Sequence, residues 1–294
     1  MLIQHLTDYC DNNFRPHGNC GKNCTHPSEK CTGSCGECLH EIQFHRVGGR
    51  TEYNCQNMLR YYTCHTIWKR ASEILYALET ADLRNFSEFR VLSIGCGAAP
   101  DLMAIDQIAD GRPIQYHGVD IEPVWDEIHG AIEWHAGDIP GMVTRFENRD
   151  VYEMFAVPNA FLNPYNAIVL QYMIAGHIYT DRAEKIDLLF DEIIDKLISH
   201  KQRNSPFLMI INDIDHKSWI CDYFNLFTRK LRARGFSFKS EKRHFEPRED
   251  GENAGSKLYK SRGNRFLEFI PKNQRDTYNA HAPCSAAQLI VEVT

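Results

Sequence analysis

The sequence lacks the features that would place it in a membrane or direct it out of the cell. No apolar run reaches the roughly 18 residues that a membrane-spanning helix needs. The first ten residues, MLIQHLTDYC, lack the basic and apolar regions of a signal peptide. The net charge is −6, so the chain as a whole is not a polycation. We therefore expect a cytoplasmic protein that does not cross a membrane.

The composition excludes a wholly disordered chain. Hydrophobic residues make up 43% and charged residues 24% of the 294 positions, which is ordinary for a globular protein. This length allows one large domain, or one domain of average size with a small additional unit.

Cysteine is scarce in most of the chain and crowded at its beginning. Of eleven cysteines, only Cys96, Cys221 and Cys284 follow residue 64. Disulfides are rare in a reducing cytosol, so the crowding favours metal binding. The eight predicted ligands are Cys10, Cys20, Cys24, Cys31, Cys35, Cys38, Cys55 and Cys64.

The cysteine spacing leaves the kind of metal open. Zinc takes four nitrogen or sulfur ligands, usually from paired cysteine knuckles, and only Cys35 and Cys38 have the two-residue spacing of a knuckle. The run Cys31-x3-Cys35-x2-Cys38 with a distant fourth cysteine also suits a [4Fe–4S] cluster. A third alternative is a segment without metal, with free thiols or disulfides.

The pattern of apolar residues divides the chain into three parts. Residues 1–54 have too few apolar side chains to form a core, which predicts a Cys-rich, metal-stapled module. Residues 55–88 repeat apolar side chains at three- and four-residue steps and predict a connecting helix. Residues 89–294 alternate between strand and helix patterns and predict one α/β domain with a mostly parallel sheet.

Within this domain, strands and helices follow one another in regular alternation. The predicted strands are 90–94, 114–120, 134–137, 167–173, 207–212, 236–244, 266–270 and 288–293. The predicted helices are 100–109, 181–200 and 219–234.

A glycine-containing turn follows the first of these strands, in VLSIGCGAAPDL (91–102). Gly95 and Gly97 allow a tight turn and a close approach of the backbone to a ligand, before a helix begins. The next strand ends at Asp120, where a carboxylate can accept hydrogen bonds from both ribose hydroxyls of a nucleoside cofactor. A dinucleotide site would have glycine at position 100, where this chain has Pro100.

The turn resembles motif I of class I S-adenosylmethionine-dependent methyltransferases, [D/E]-x-G-x-G-x-G, with Ser93, Gly95, Gly97 and Ala99 at the four places. Ser93 replaces the usual acid, and Asp101 at the start of the helix is a partial substitute. The resemblance implies a doubly wound, Rossmann-like fold with a seven-stranded sheet and a C-terminal β-hairpin between 236 and 294. It also implies S-adenosylmethionine as cofactor.

The later motifs of the same family follow in order. GVDIEP (118–123) resembles motif II, which implies that Asp120 binds the ribose and that Ile121 lies against the adenine. HAGDIP (135–140) resembles motif III, with Asp138 at the adenine amino group. YNAIVLQYMIAGHI (165–178) resembles motif IV, whose strand end faces the reacting methyl group and carries Gln171 as a further cofactor-binding residue.

Three polar residues near strand ends are the predicted catalytic residues, because α/β folds place their ligands there. They are Tyr172 and His177 after the motif IV strand, and Asp213 after the next strand. Structural roles for Tyr172 and His177 are the alternative, with a satisfied hydroxyl for the tyrosine and a structural hydrogen bond for the histidine.

The substrate class depends on an uneven charge distribution. Residues 229–275 contain fourteen Lys and Arg against six Asp and Glu, which favours RNA as the methyl acceptor. A protein or a small molecule is the alternative acceptor. A protein of another class is a further alternative: a non-catalytic binding or assembly factor with a degenerate methyltransferase fold.

Overall fold

The computed structural model describes residues 1–15, 35–36, 38–39, 55–157, 164–179, 182–201, 205–214, 220–246 and 256–294. The α-helices are α1 (Leu2–Asn13), α2 (Gln56–Thr80), α3 (Pro100–Ile108), α4 (Asp126–Ala136), α5 (Val151–Ala156), α6 (Met173–Tyr179), α7 (Glu184–Lys196), α8 (Ile220–Ala233) and α9 (Lys272–Tyr278). The strands are β1 (Phe89–Ile94), β2 (Ile114–Asp120), β3 (Met142–Asn148), β4 (Ala167–Gln171), β5 (Phe207–Ile214), β6 (Phe238–His244), β7 (Ser256–Leu258) and β8 (Ala286–Val293).

All eight strands form one sheet in the order β3-β2-β1-β4-β5-β8-β6-β7. Strands β1 to β5 are parallel, and β8 runs antiparallel to both β5 and β6. The predicted α/β, Rossmann-like fold with a mostly parallel sheet is therefore confirmed. The sheet has eight strands rather than seven, because the short β7 adds to the outer edge of β6.

Alternating side chains of the strands fill two cores, one on each face of the sheet. Val91 and Val169 point to the face that is covered by α1, α2, α3 and α4. Leu92 and Ile168, each one residue away, point to the face that is covered by α5, α7 and α8. Burial on both faces explains why these strands are almost wholly apolar.

The carboxyl ends of several strands meet at one edge of the sheet. Strand β6 is antiparallel to β8, as is β5, so β6 runs in the same direction as β5. The ends of β1, β4, β5 and β6 therefore share this edge, which we call the carboxyl edge. The chain order reverses between β1 and β4, and doubly wound folds bind ligands at that reversal point.

Two predicted strands are wrong. Residues 134–137 belong to the end of α4 and the turn after it, and α4 buries Ile128, Ala131 and Ile132 at helical spacing. Residues 266–270 contain a 3₁₀ turn, Leu267–Phe269, instead of a strand. Strands β6 and β8 do pair antiparallel as predicted. However, residues 245–285, which include β7 and α9, separate them, so they do not form a simple hairpin.

The first helix belongs to the core of the α/β domain. Leu2, Ile3, Leu6 and Cys10 of α1 are fully buried and lie in the same core cluster as α2, α3 and α4. The Tyr9 hydroxyl donates to Glu127 Oε1 of α4 at 3.0 Å. The beginning of the predicted Cys-rich module is therefore a packed helix, and residues 16–34 and 40–54 lie outside the described residues. Within the described ranges, no helix has both the length and the apolar character to cross a bilayer.

Candidate functional site

The glycine turn lies at the reversal point of the sheet. Gly95, Gly97 and Ala99 all have positive φ, at 69°, 50° and 54°. A Cβ atom at Gly95 would lie 2.1 Å from Sδ of Met173, the first residue of α6. The turn therefore packs directly against the start of the helix that follows β4, and only glycine fits there without displacing that side chain.

Asp120 closes the turn from the end of β2. Its Oδ2 accepts a hydrogen bond from the Gly97 amide at 2.8 Å, and its Oδ1 accepts from the Glu122 amide at 3.1 Å. Burial raises the pKa of Asp120, and these backbone hydrogen bonds oppose the rise. The structure thus brings together three of the predicted cofactor-binding residues, Gly95, Gly97 and Asp120. Ile121, the next residue, is 51% exposed beside them.

Asp101 lies directly beneath the turn, next to the serine that replaces the motif I acid. Its Oδ1 accepts from the Tyr116 hydroxyl at 2.9 Å, and Ser93 also donates to its carboxylate. Burial raises the pKa of Asp101 to about 6, against the lowering effect of these hydrogen bonds. Its Oδ2 has no hydrogen-bond partner within the described part of the chain. A carboxylate is therefore present near Ser93, the position of the usual motif I acid, although α3 supplies it instead of β1.

Asp138 lies far from this group. It follows α4 in an exposed turn that leads into β3, at the amino end of that strand. The ligand edge of a parallel sheet is the carboxyl edge, so the structure does not bring Asp138 to the glycine turn. The polar residues at the carboxyl end of β3 are Asn148 and, beyond it, Asp150, which caps α5 by accepting from the Tyr152 amide at 2.9 Å.

Gln171 and Tyr172 stand at the end of β4, beside the turn. The Gln171 amide Nε2 donates to the carbonyl of Arg70 in α2 at 3.1 Å. Tyr172 has a φ of 61°, which is strained for a residue with a side chain. Its hydroxyl points into α2 and donates to Glu73 Oε2 at 2.8 Å.

Glu73 is the centre of a buried polar network that the sequence did not indicate. It is fully buried, and besides Tyr172 it accepts from Asn212 Nδ2 at 3.1 Å and from the Ser285 amide at 3.1 Å. Burial, then the charge of Glu73, keep the pKa of Tyr172 well above its ordinary value. The Tyr172 hydroxyl is therefore a satisfied donor to Glu73, which fits the structural role given above as the alternative.

Asp213 is a helix cap. It is fully buried, and its carboxylate accepts from the amides of Ile174 at 2.9 Å and Ala175 at 3.2 Å, in the first turn of α6. Burial raises the pKa of Asp213 to about 7 despite these bonds. Its oxygens are thus occupied by the backbone, and the structure gives it a supporting position behind the site.

His177 is held on the outer side of α6. Its Nδ1 donates to the Met173 carbonyl at 2.8 Å, and its Nε2 lies 2.8 Å from the Tyr152 hydroxyl. Burial lowers the pKa of His177, so the neutral ring is favoured. These two partners differ from the hydrogen-bond partners described for Tyr172 and Asp213.

Helix α2 supplies residues to the site that the sequence analysis missed. The Arg70 guanidinium lies over the Tyr62 ring at 4.9 Å and over the Tyr172 ring at 4.5 Å. The Tyr62 ring is 6.1 Å from the ring of Trp125, which packs next to Gly97. The available signal was the position of Glu73 between the apolar residues Ala71 and Ile74 of this helix, since a charged residue that is buried usually has a partner.

The eight cysteines predicted as metal ligands fall into different surroundings. Cys10 and Cys64 are fully buried between α1 and α2, where the Cys64 thiol donates to the Thr7 carbonyl at 3.6 Å. Asn57 donates to Cys35 Sγ at 3.3 Å, and Cys38 and Cys55 are buried nearby in the same core cluster. In the described ranges, no three His, Cys, Asp or Glu side chains are grouped to hold a metal ion. Cys20, Cys24 and Cys31 lie outside those ranges.

The basic stretch 229–275 is divided between two edges of the molecule. Lys230 of α8 and Arg234, the residue after α8, form ion pairs with Asp187, Asp191 and Asp195 of α7, so the acids of α7 offset their charge. A second group follows β6 and β7 at the carboxyl edge. It consists of Arg243, Lys257, Lys260, Arg262 and Arg265. Acids partly offset this charge as well, because Arg243 and Lys257 pair with Glu241 and Arg262 pairs with Glu246.

Three members of the second basic group, Arg243, Lys260 and Arg265, line a groove of about 490 Å³ between α2 and the segment after β7. Arg243 lies over the Tyr259 ring at 5.0 Å, and Arg265 lies over the Tyr76 ring at 5.2 Å. Arg265 also pairs with Glu79 at 2.6 Å. The groove connects to the network of Glu73 through Gln288. Tyr259 donates to Gln288, which donates to the backbone carbonyl of Glu73 and to Asn212 Oδ1, and Asn212 donates to the Glu73 carboxylate.

Comparison with known proteins gives structural but no sequence matches. No protein-family model and no curated protein matches the chain. Solved structures of methyltransferases do resemble it. The plantazolicin methyltransferase BpumL in complex with SAH has a TM-score of 0.45 at 13% identity, over 88% of this chain and 99% of that one.

Two further structures show the same level of likeness. A SAM-dependent methyltransferase from Archaeoglobus fulgidus has a TM-score of 0.36 at 19% identity, over 76% of this chain and 95% of that one. A human methyltransferase 10 domain-containing protein has a TM-score of 0.44 at 12% identity, over 77% and 82%. Since these scores lie below 0.5, the fold assignment rests on the strand order and direction of the chain itself.

Proposed function

We propose that this protein is a methyltransferase that uses S-adenosylmethionine. The observation that carries the proposal is the left-handed turn of Gly95 and Gly97 at the reversal point of the sheet, closed by the Asp120 carboxylate. Doubly wound folds bind nucleoside cofactors at this place, and an acid at the end of the second strand suits ribose hydroxyls.

The residues present fit such a cofactor in their chemistry. Asp120 accepts from the amides of Gly97 and Glu122, and a carboxylate has about four acceptor sites, so it can also accept from a ribose hydroxyl. Ile121 offers an exposed apolar surface to an adenine. Bound S-adenosylmethionine supplies an activated methyl group on a sulfonium. The contribution of this chain is to hold the cofactor and the acceptor in line, since positioning supplies much of the rate of such displacements. Of the three predicted catalytic residues, Tyr172 and Asp213 support the β4–α6 corner rather than move a proton.

The test is calorimetric titration of the full chain with S-adenosylmethionine. Asp120→Ala removes the proposed ribose acceptor and is expected to weaken binding at least about tenfold, as the loss of a charged hydrogen bond does. Asp138→Ala is the matched control, because that exposed aspartate lies away from the glycine turn, and its affinity should equal that of wild type.

A wild-type protein that binds no S-adenosylmethionine at high micromolar concentration would contradict the proposal. Equal affinities of wild type and Asp120→Ala would contradict it as well. A protein that binds the cofactor but yields no S-adenosylhomocysteine with any acceptor would favour the non-catalytic binding factor.

For the acceptor, we propose single-stranded RNA in the groove beside Tyr76 and Tyr259. Support comes from Arg243, Lys260 and Arg265 in the lining of the groove, since phosphates attract cations and bases stack on aromatic and guanidinium faces. The groove lies at the carboxyl edge, as the glycine turn does.

Binding of a labelled single-stranded RNA over a range of salt concentrations tests this acceptor. Lys260→Glu is expected to weaken binding and to reduce the slope of log K against log salt by about one or more. Arg229→Glu makes the same charge change on α8 and should leave the slope unchanged. Binding that both variants weaken equally, or no binding, would favour a protein or small-molecule acceptor.

We also propose that the Cys-rich segment binds zinc, with a [4Fe–4S] cluster as the second candidate. The support is the cysteine spacing alone, including the knuckle-like pair Cys35 and Cys38. Elemental analysis and the visible absorption spectrum of anaerobically purified protein test this. Stoichiometric zinc without colour supports zinc, iron with visible absorption supports the cluster, and neither metal contradicts both.

A further inference from the structure

One buried acceptor at the carboxyl edge lacks a partner. Gln171 is 9% exposed, and its Nε2 is fixed by the Arg70 carbonyl at 3.1 Å. This bond orients the amide, so its Oε1 is a fixed acceptor, and it has no hydrogen-bond partner among the residues that the structure describes. A buried unpartnered oxygen costs free energy, and a bound donor, above all a cationic one, would repay it.

The side chain of Arg70 places a positive charge at the same corner. Its guanidinium lies over the ring of Tyr62 at 4.9 Å and over the ring of Tyr172 at 4.5 Å. These two cation–π contacts hold the charge of Arg70 at the end of β4. A guanidinium suits the two oxygens of a carboxylate because its N–H groups form a planar fork.

The arrangement of charges around the glycine turn is asymmetric. Asp120, an anion, lies on the β2 side of the turn, and Arg70 lies on the β4 side with Gln171. Strand β1 lies between β2 and β4, so the turn after β1 separates the two. A ligand that crosses the turn therefore meets the Asp120 carboxylate, which can accept from hydroxyl groups, at one end. At the other end it meets the Gln171 oxygen and the positive charge of Arg70.

From this arrangement we infer that Arg70 and Gln171 bind the amino-acid end of S-adenosylmethionine. Arg70 pairs with the carboxylate, and Gln171 Oε1 accepts from the ammonium group. The inference rests on the proposed function and adds to it a second anchor, supplied by α2 and by the end of β4.

Calorimetry with two ligands tests this directly. S-adenosylhomocysteine contains the amino-acid part, whereas 5′-methylthioadenosine has the same nucleoside and sulfur without it. Arg70→Met is expected to weaken S-adenosylhomocysteine binding roughly 10- to 100-fold, the range for a charged hydrogen bond, and to leave 5′-methylthioadenosine binding unchanged. Arg60→Met, which removes a positive charge elsewhere on α2, should change neither affinity.

A third ligand makes the test independent of variants that fail to fold. The methyl ester of S-adenosylhomocysteine keeps the ammonium and loses the carboxylate charge, so the wild-type protein should bind it at least about tenfold more weakly than the acid. Equal binding of ester and acid would overturn the inference, as would equal losses of both ligands in Arg70→Met. A wild-type protein that binds neither nucleoside would overturn the proposed function itself, which is a separate result.

Discussion

At the scale of single residues, the candidate site depends on backbone conformations that side chains rarely adopt. Gly95 and Gly111 both have positive φ, at 69° and 77°, but their surroundings differ. A Cβ at Gly95 would meet Met173 at 2.1 Å, whereas a Cβ at Gly111 would have no heavy atom within 4 Å. The two glycines thus separate the effect of backbone strain from that of close packing.

We predict that Gly95→Ala and Gly111→Ala each lower the free energy of unfolding by about 1–2 kcal/mol, the cost of the left-handed conformation. Only Gly95→Ala should also weaken S-adenosylmethionine binding, because it displaces Met173 from the turn. Chemical denaturation and calorimetry measure the two effects. If Gly111→Ala weakens the binding to the same degree, the packing at Gly95 has no special role.

The sequence indicated part of this site and missed the rest for a physical reason. Gly95, Gly97, Asp120 and Gln171 follow from strand ends, which parallel sheets bring to one edge. The contribution of α2 did not follow, because a helix that precedes the sheet in sequence can pack anywhere on it. The Tyr172 hydroxyl was expected in a substrate pocket, but its direction depends on Glu73, 99 residues earlier in the chain.

At the scale of elements, α6 is a short helix that β5 stabilises. Asp213 of β5 caps its first turn through the amides of Ile174 and Ala175, from a fully buried position. Burial raises the pKa of this carboxyl from 3.8 to about 7. At pH values between 3.8 and about 7, the Asp213 carboxyl therefore keeps its proton in the folded protein and releases it in the unfolded chain.

The unfolding free energy should therefore depend on pH through Asp213. The stabilisation that the protonated Asp213 carboxyl provides is present below about pH 4 and is lost as the pH rises through about 7. The loss occurs because, between these pH values, the folded state binds more protons than the unfolded state. We predict that wild type loses about 3–4 kcal/mol relative to Asp213→Asn across this range. Urea denaturation at a series of pH values measures the difference, and parallel curves for the two proteins would exclude this role.

The strands that the sequence predicts and the strand that it misses differ in how much of their surface is buried. Strands β1 and β5 are mostly apolar and buried on both faces, so their patterns were visible in the sequence. Strand β3 (MVTRFEN) is an edge strand with exposed charged side chains, and its pattern resembles a loop. For this reason the edge strand was sought at 134–137 instead, where helix α4 ends.

At the scale of the whole molecule, helix α1 packs into the core of the α/β domain, whereas the sequence predicts that residues 1–54 form a separate module. The apolar residues of 1–54 were judged too few for a core, which holds for an isolated module. Leu2, Ile3 and Leu6 of α1 instead complete the core between α2, α3 and α4. The Arg60 side chain adds an ion pair with Glu127 of α4, at 2.7 Å, beside the Tyr9 hydroxyl.

If α1 is part of this core, a single truncation in it should destabilise the whole α/β domain. We predict that Leu6→Ala, at a fully buried position, lowers the free energy of unfolding by about 2–5 kcal/mol, because it leaves a cavity between α1 and α2. Asn12→Ala changes an exposed position of the same helix and should stay within about 0.5 kcal/mol of wild type. Denaturation followed by the fluorescence of Trp68, which is buried in α2, measures both. Equal stabilities of the two variants would show that α1 belongs to a separate unit, as the cysteine pattern alone predicts.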